Sequence, residues 1–196
     1  MLINIGFQEI MKAYDIHCFM FHDADVIPLD DRNIYKCSEQ PTHLAAALDK
    51  FDYKLPYARY TGGAFAFTKQ QFTEINGFSN IYFGWGREDD DLEIRLRASG
   101  YEIFRYPLDI ARYTMLKHGR DVGNQNHLDN GIFLQSTKKC YKDQGLNSLK
   151  YTVTSVVKTK LFTWLNVFIN KTEVMHQKES QACLEVSLST KIEKLQ

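Results

Sequence analysis

Residues 17–25 read HCFMFHDAD, an apolar run that ends in two carboxylates. The run predicts a buried strand over residues 17–22, which stops at Asp23-Ala24-Asp25. In open α/β sheets ligands bind at the carboxyl ends of strands, so this strand would deliver Asp23 and Asp25 to such an edge. Their hard oxygens suit Mg²⁺ or Mn²⁺, which can hold a diphosphate. An acidic turn in solvent gives the same pattern, so metal binding stays open on this segment alone.

The segments around this strand predict a mixed α/β protein. Helices are predicted over residues 3–14, 42–49, 69–75 and 89–99, and strands over residues 60–67, 101–106, 113–118 and 150–157. Pro28 excludes a central strand directly after the aspartates. From Lys171 onward the apolar period fades, which predicts one domain over residues 1–170 and a disordered tail over residues 171–196.

Composition limits the classes of function. The 196 residues carry 24 basic and 24 acidic side chains, so the chain lacks the basic excess of a nucleic-acid groove and no nucleic-acid partner is expected. We find no secretory signal and no apolar segment of about 20 residues, the length that spans a bilayer. On these residues alone the chain is expected to be soluble.

The cysteines and one sequon bear on the cellular compartment in which the protein works. The four cysteines form no CxxC pair, which argues against a zinc ribbon or a thioredoxin-like site, and their even number permits disulfides without requiring them. Asn170-Lys171-Thr172 is an N-glycosylation sequon, which matters only in a secretory compartment.

Residues 82–91, YFGWGREDDD, are the most specific segment. Glycines on either side of Trp85 allow the loop to approach a ligand closely, and the indole offers a flat face to a sugar ring. A carboxylate held among like charges gains proton affinity and can serve as a general base. The acidic first turn of an ordinary helix would explain two of the four acids, but not the whole string.

Residues 115–121, MLKHGRD, place a histidine at the end of a predicted strand. His118 could complete a mixed oxygen and nitrogen site, which fits Mn²⁺ better than Mg²⁺. Met115 is a poor partner for a hard ion, so its residue type favours core packing.

These segments, in this order, resemble the β-1,4-galactosyltransferase family. The resemblance runs from about Leu2 to Asn170 and includes residues 21–28, 60–63, 84–91, 115–121 and 145–149. It implies a GT-A-type nucleotide-diphospho-sugar transferase fold, here missing its first strands. It also implies inverting, Mn²⁺-dependent transfer of galactose from UDP-galactose to the 4-hydroxyl of a glycan ending in N-acetylglucosamine or glucose, or of xylose.

The resemblance also assigns roles to residues. It makes Met115 a metal ligand together with Asp25 and His118, against the packing interpretation, and it makes Asp89 the general base. Tyr60 would favour galactose over N-acetylgalactosamine, which makes UDP-N-acetylgalactosamine the less favoured donor. The donor would be bound by Asp23, Ala24, Asp25, Lys50, Tyr60, Trp85, His118, Arg120 and Asp121, and the acceptor by Gly86, Arg87, Glu88, Asp89 and Asp90.

The family likeness implies a compartment as well. Cys18 and Cys37 match a disulfide pair, which implies the Golgi lumen, with membrane attachment only through an anchor that this sequence does not contain. Arg87 stands where a glycine is usual in much of the family, and Asn130-Gly131 stands where an Arg-Phe pair usually holds the acceptor.

Two other hypotheses compete with an active transferase. The chain starts later than the family's catalytic domain, so the first alternative is a truncated, non-catalytic fragment that keeps sugar or metal binding. The second is a haloacid-dehalogenase-like phosphatase, which also places Asp-x-Asp after an apolar strand, but leaves Trp85 and His118 without a role.

Overall fold

The computed structural model describes residues 1–119, 122–125, 130–178 and 180–185. Its helices and strands alternate along the chain, as the sequence predicts for an α/β protein. The helices are α1 Leu2–Ala13, α2 Lys69–Glu74, α3 Glu88–Ala98, α4 Asn130–Cys140 and α5 Lys171–Met175. The strands are β1 Cys18–His22, β2 Val26–Pro28, β3 Thr42–His43, β4 Ala47–Leu48, β5 Ala64–Thr68, β6 Phe104–Arg105, β7 Arg112–Met115, β8 Thr152–Lys158 and β9 Thr163–Phe168.

The first sheet carries the apolar core, in the strand order β1-β5-β3-β6. Strand β5 is antiparallel to both β1 and β3, and β3 is parallel to β6. Phe65 and Phe67 of β5 are buried and pack with Phe7 of α1 and Phe72 of α2 in one aromatic cluster. Rings of this size bury enough apolar area to fix both helices against the sheet.

The second sheet, in the order β2-β7-β4, positions the chain after the two aspartates. Strand β2 lies at its edge, where Pro28 costs no ladder hydrogen bond. Val26 is paired with Met115 of β7, and the Leu116 N–H donates to the Asp25 carbonyl at 2.7 Å. The pairing therefore brings the end of β7 against Asp25.

Helix α3 begins at Glu88, directly after the N-cap Arg87 with its left-handed φ of 80°, and it is held by a buried ion pair. The Arg95 Nε donates to Asp91 Oδ2 at 2.5 Å, and both side chains are almost fully buried. The Thr137 hydroxyl of α4 donates to the other Asp91 oxygen at 2.6 Å. Asp91 thus joins α3 to α4.

The predicted helix over residues 42–49 is wrong. This segment forms β3, β4 and the start of a 3-10 turn, Asp49–Phe51. Every residue from 41 to 48 is buried, whereas a short helix on a sheet would expose one face. The Leu44 N–H donates to Ala64 and the Ala47 N–H to Ala111, so the segment bridges the two sheets. Pairing on both sides outweighs the helix propensity of its three alanines.

The predicted disordered tail from Lys171 does not hold over residues 171–178 and 180–185. Helix α5 buries Val174, residues 180–185 are helical, and a disulfide joins the buried Cys183 to Cys140 at the end of α4. A cross-link and buried contacts together offset the conformational entropy that a polar segment loses on ordering. Residues 186–196 lie outside the described residues.

Strands β8 and β9 form an antiparallel hairpin, of which only β8 is predicted from the sequence. The hairpin is a two-stranded ribbon with exposed Trp164 and Phe168 side chains and a fully exposed turn residue, Leu161. In the part of the chain that the structure describes, no helix combines the length and the apolar character needed to cross a bilayer.

Candidate active site

Two of the three expected metal ligands lie in contact at the end of β7. The His118 Nε2 is 2.9 Å from Asp25 Oδ2. The third, Met115, lies on β7. Its strand partner is Val26, the residue that follows Asp25 in the chain. A cavity of about 490 Å³ opens here, lined by Met115 and His118 and by Asp49, Lys50, Leu116, Lys117 and Gly119.

These residues fit a divalent cation that is shared with a ligand. Two ligands about 2.1 Å from one ion at a right angle are roughly 3 Å apart, close to the spacing of the Asp25 and His118 atoms. Within the described ranges, no group of three or more His, Cys, Asp or Glu residues could hold a metal ion. An ion here could be held by Asp25 and His118, with the partly buried Met115 beside them, and would take further ligands from water or from substrate oxygens.

Asp49 holds the end of β7, the strand that leads to His118, and sequence reasoning missed it. Its Oδ1 accepts the Met115 N–H at 2.9 Å, and its Oδ2 accepts the Thr114 hydroxyl at 2.5 Å. These hydrogen bonds, the Thr114 hydroxyl first, lower the pKa of the Asp49 carboxyl. Its position between a buried apolar segment and Lys50 repeats the pattern of Asp23 and was the available signal.

Asp89 lies in the first turn of α3, against the chain that leads into β5. The Thr61 hydroxyl donates to the Asp89 carbonyl at 2.7 Å. A Cβ on Gly62 would lie 2.7 Å from Asp89 Oδ2 and 2.7 Å from the Tyr60 Oη, so only glycine lets these groups converge. Burial, followed by the charges of Glu88 and Asp23, raises the pKa of Asp89 to about 7. A carboxylate with this pKa can accept a proton near neutral pH.

A second cavity, of about 450 Å³, lies beside Asp89 between α1, the first sheet and α3. Its walls include the aromatic side chains of Phe21, Phe65 and Phe78, and its polar lining includes Asp23, Glu88 and Asp89. The Glu88 Oε2 is buried and has no hydrogen-bond partner among the described residues. A buried acceptor of this kind is costly unless a ligand donates to it, as a sugar hydroxyl would.

Trp85 lies on a loop whose backbone depends on glycine. Gly84 and Gly86 have φ values of 88° and 100°, and Arg87, with φ 80°, continues the left-handed run. The Trp85 side chain is 59% exposed. The Asn130 Nδ2 donates to the Gly86 carbonyl at 2.8 Å, so the start of α4 supports the loop.

Asp90 is held by two neighbours at the rim. The Tyr57 hydroxyl donates to its Oδ1 at 2.7 Å, and the Arg87 guanidinium donates to its Oδ2 at 3.0 Å. Tyr57 was missed by sequence reasoning, because nothing in its local sequence distinguishes it from a core or surface tyrosine. The carboxylate keeps free lone pairs, so it can still accept a hydrogen bond from a ligand.

Of the remaining expected donor residues, the structure describes Lys50, Ala24 and Tyr60. Lys50 borders the cation cavity, and its charge lowers the pKa of Asp89 against the larger effects that raise it. Ala24 lies in the exposed turn between β1 and β2, and the ring of Tyr60 packs edge-on against Phe51 and Tyr57. Arg120 and Asp121 lie outside the described residues.

Comparison with known proteins gives one consistent result. A model described as the N-terminal region of glycosyl transferase group 7 matches residues 1–38, and one described as the N-terminal domain of galactosyltransferase matches residues 42–119. The chain is 47% identical over 168 residues to β-1,4-galactosyltransferase 1 of Mus musculus, covering 86% of this chain and 42% of that protein. It is 46% identical over 173 residues to β-1,4-galactosyltransferase 2 of Homo sapiens, covering 87% and 46%. The chain thus spans less than half of these relatives.

Solved structures agree with the sequence relatives. The catalytic domain of Drosophila β-1,4-galactosyltransferase 7, in complex with xylobiose, superposes with a TM-score of 0.70 at 28% identity, over 86% of this chain and 73% of that one. A variant of the same enzyme, in complex with manganese, UDP-Gal and xylobiose, gives a TM-score of 0.69 at 27% identity, with the same coverage. The predicted α/β fold of the GT-A type is confirmed.

Proposed function

We infer, from the premise that this chain belongs to the β-1,4-galactosyltransferase family of glycosyltransferase group 7, that it is the catalytic part of an inverting, Mn²⁺-dependent galactosyltransferase. The observation that carries the inference is the pairing of Asp25 with His118 at one cavity and the raised pKa of Asp89 at the next. Asp23, two residues before Asp25, borders the second cavity and connects the two along the chain.

The chemistry needs one base and a stabilised leaving group. Asp89 takes the proton from the acceptor's 4-hydroxyl while that oxygen attacks C1 of galactose. The C1–O bond to UDP breaks on the opposite face, so one displacement inverts the anomeric centre. Asp25, Met115 and His118 would hold Mn²⁺, which when bound supplies positive charge to the departing diphosphate. Lys50, on the same cavity, adds a fixed positive charge.

For the donor we propose UDP-galactose, with UDP-N-acetylgalactosamine less favoured. Tyr60 supports this because its hydroxyl lies beside Asp89 and its ring fills space between Phe51 and Tyr57. Burial, followed by the charge of Asp89, raises the pKa of Tyr60, so the hydroxyl stays protonated and can donate. We further propose that Asp23, Ala24, Trp85, Arg120 and Asp121 complete donor binding.

For the acceptor we propose a glycan that ends in N-acetylglucosamine or glucose. The buried Oε2 of Glu88 has no hydrogen-bond partner in the described part of the chain, and Asp90 lies at the rim next to Asp89. Gly86 and Arg87 would shape the loop over the acceptor, and Trp85 would cover it. The two disulfides support an oxidising compartment, and for a member of this family we propose the Golgi lumen.

The test is UDP release from UDP-galactose with Mn²⁺, with and without glucose, N-acetylglucosamine and xylose acceptors. We expect release that depends on the acceptor and is lost with a chelator. Acceptor and donor binding without release from a folded sample would instead support the non-catalytic alternative. That outcome would limit this chain to the binding part of the enzyme.

Substitution of the cation ligands is expected to abolish Mn²⁺-dependent binding of UDP. Asp25→Asn removes a charged oxygen ligand and His118→Ala removes the nitrogen, and loss of a ligand or of its support typically costs 10–100-fold or more in metal affinity. Calorimetric titration of UDP with and without Mn²⁺ measures the effect. His17 and Asp15 form an exposed pair at 3.8 Å outside the site, so His17→Ala and Asp15→Asn serve as matched controls that keep binding.

Shortening Tyr60 is expected to relax donor selection. Tyr60→Leu removes the ring atoms nearest Gly62 and leaves room for an acetamido group, so transfer from UDP-N-acetylgalactosamine should rise by about tenfold or more relative to UDP-galactose. Competition between the two donors measures the ratio. An unchanged ratio in a variant that still transfers galactose would exclude Tyr60 as the gate.

A further inference from the structure

The sequon Asn170-Lys171-Thr172 is not used by the proposed transferase chemistry. It is the single Asn-x-Ser/Thr sequence in the chain whose middle residue is not proline. Asn170 lies between the end of β9 and the start of α5, and all three sequon residues are exposed. An enzyme that modifies a surface asparagine therefore has access to it.

The side chain of Asn170 is oriented by capping α5. Its Oδ1 accepts the Glu173 N–H at 3.2 Å, which leaves the Nδ2 on the other side of the amide. Among the described residues, no hydrogen bond to this nitrogen is found. Attachment of a sugar to Nδ2 keeps the carbonyl oxygen as an acceptor, so the cap and the modification are compatible.

The disulfides place the chain where such a modification occurs. Cys18–Cys37 joins β1 to the segment before β3, and Cys140–Cys183 joins α4 to the C-terminal helical residues. No described cysteine is free. Disulfides of this number persist in secreted and luminal proteins, which pass through the compartment where sequons are glycosylated.

Phe168 offers a surface to the attached sugar. Strand residues two apart share one face, so Trp164, Asn166 and Phe168 lie in one row along β9, and Asn170 follows in an extended conformation. Phe168 is 59% exposed, and it lines one surface cavity together with Asn170. The apolar face of a sugar ring on Asn170 can pack on this ring, which would remove exposed apolar area from water.

We propose that Asn170 carries an N-linked glycan whose first sugar packs on Phe168. A bond forms between Asn170 Nδ2 and C1 of the first sugar, while the C1–O bond to a lipid-linked diphosphate breaks. The diphosphate leaves with the electron pair, and the proton from Nδ2 passes to a base of the modifying enzyme. The proposal uses the secretory compartment and not the transferase activity, so each can fail without the other.

The test is expression of the full chain, with a secretion signal, in eukaryotic cells, followed by intact mass measurement before and after peptide N-glycosidase. We expect a glycan mass that the enzyme removes, that Asn170→Gln and Thr172→Ala abolish, and that Thr172→Ser retains. A disulfide-bonded, secreted chain with only the polypeptide mass would overturn the proposal, and so would a glycan that persists in Asn170→Gln.

The contact with Phe168 has its own measurement. Deglycosylation is expected to lower the melting temperature of the native chain by about 2–4 °C. The same treatment of the Phe168→Ala variant should produce a smaller shift, because the ring that the sugar covers is gone. Equal shifts in both proteins would overturn the packing of the sugar on Phe168.

Discussion

Replacement of Asp89 by asparagine is expected to lower galactose transfer about a thousand-fold or more, while donor binding stays unchanged. An amide cannot take the acceptor's proton, but it has nearly the same shape and leaves Asp25 and His118 untouched. UDP release gives the rate, and titration of UDP with Mn²⁺ gives the donor affinity. Retained turnover would show that Asp89 is not the base. Asp143→Asn, an exposed substitution beyond α4, is the control.

The same carboxyl sets the pH dependence of transfer and of stability. Because the pKa of Asp89 is raised to about 7, the transfer rate should rise with pH through 7 as the base loses its proton.

The folded state holds the proton of Asp89 more tightly than the unfolded state does, so the contribution of this group to stability falls as pH rises from about 4 to 7. Asp89→Asn should therefore melt at a higher temperature than the native chain at pH 8, and the difference should shrink toward pH 4.

Removal of the buried Asp91 carboxylate is expected to lower the free energy of unfolding by about 3–5 kcal/mol. Asp91→Ala leaves the guanidinium of Arg95, which is 1% exposed, without its charge partner, and takes from Thr137 its acceptor. For a chain of this size, this corresponds to a fall in melting temperature of roughly 10 °C. Denaturant unfolding measures the change.

The pair of Arg97 with Glu93 on the same helix provides the control for this result, because its cation is exposed. Arg97 lies 3.4 Å from Glu93, and its side chain is 57% exposed. Because the Arg97 side chain is mostly in solvent and the buried Glu93 keeps Arg59 at 3.8 Å, Arg97→Ala should change stability by less than about 1 kcal/mol. Equal losses from Asp91→Ala and Arg97→Ala would mean that the buried pair does not hold α3 to α4.

Sequence patterns predict a helix or strand correctly when the residues of that element determine its conformation by themselves. Helices α1 and α3 were predicted within about two residues, because an apolar period marks α1 and an acidic start and a final glycine bound α3. Residues 42–49 failed because their strands are set by partners far along the chain, Ala64 and Ala111. The ordered C-terminal residues failed for the same reason, since Cys183 is fixed by Cys140.

The candidate site could also be predicted only in part: single residues were recognisable in the sequence, but their spatial partners were not. Asp25 and His118 could be singled out because each ends a predicted strand, but 93 residues separate them, and only the β2–β7 pairing brings them together. Among four consecutive acids, the sequence does not separate Asp89, with its raised pKa, from Asp91 in its ion pair. That separation depends on which face of α3 meets α4. Asp49 and Tyr57 support the site from other elements; the position of Asp49 after an apolar segment was a signal, whereas Tyr57 carries none.

The Cys140–Cys183 disulfide also determines whether the two fragments stay joined after a single proteolytic cut. The exposed turn at Leu161 lies between these two cysteines in sequence, and turns of this kind are the preferred places for proteases to cut. Both products of such a cut would still contain one of the two sulfurs. A chain nicked at the turn would therefore migrate as one species on a denaturing gel and separate into two fragments only after reduction.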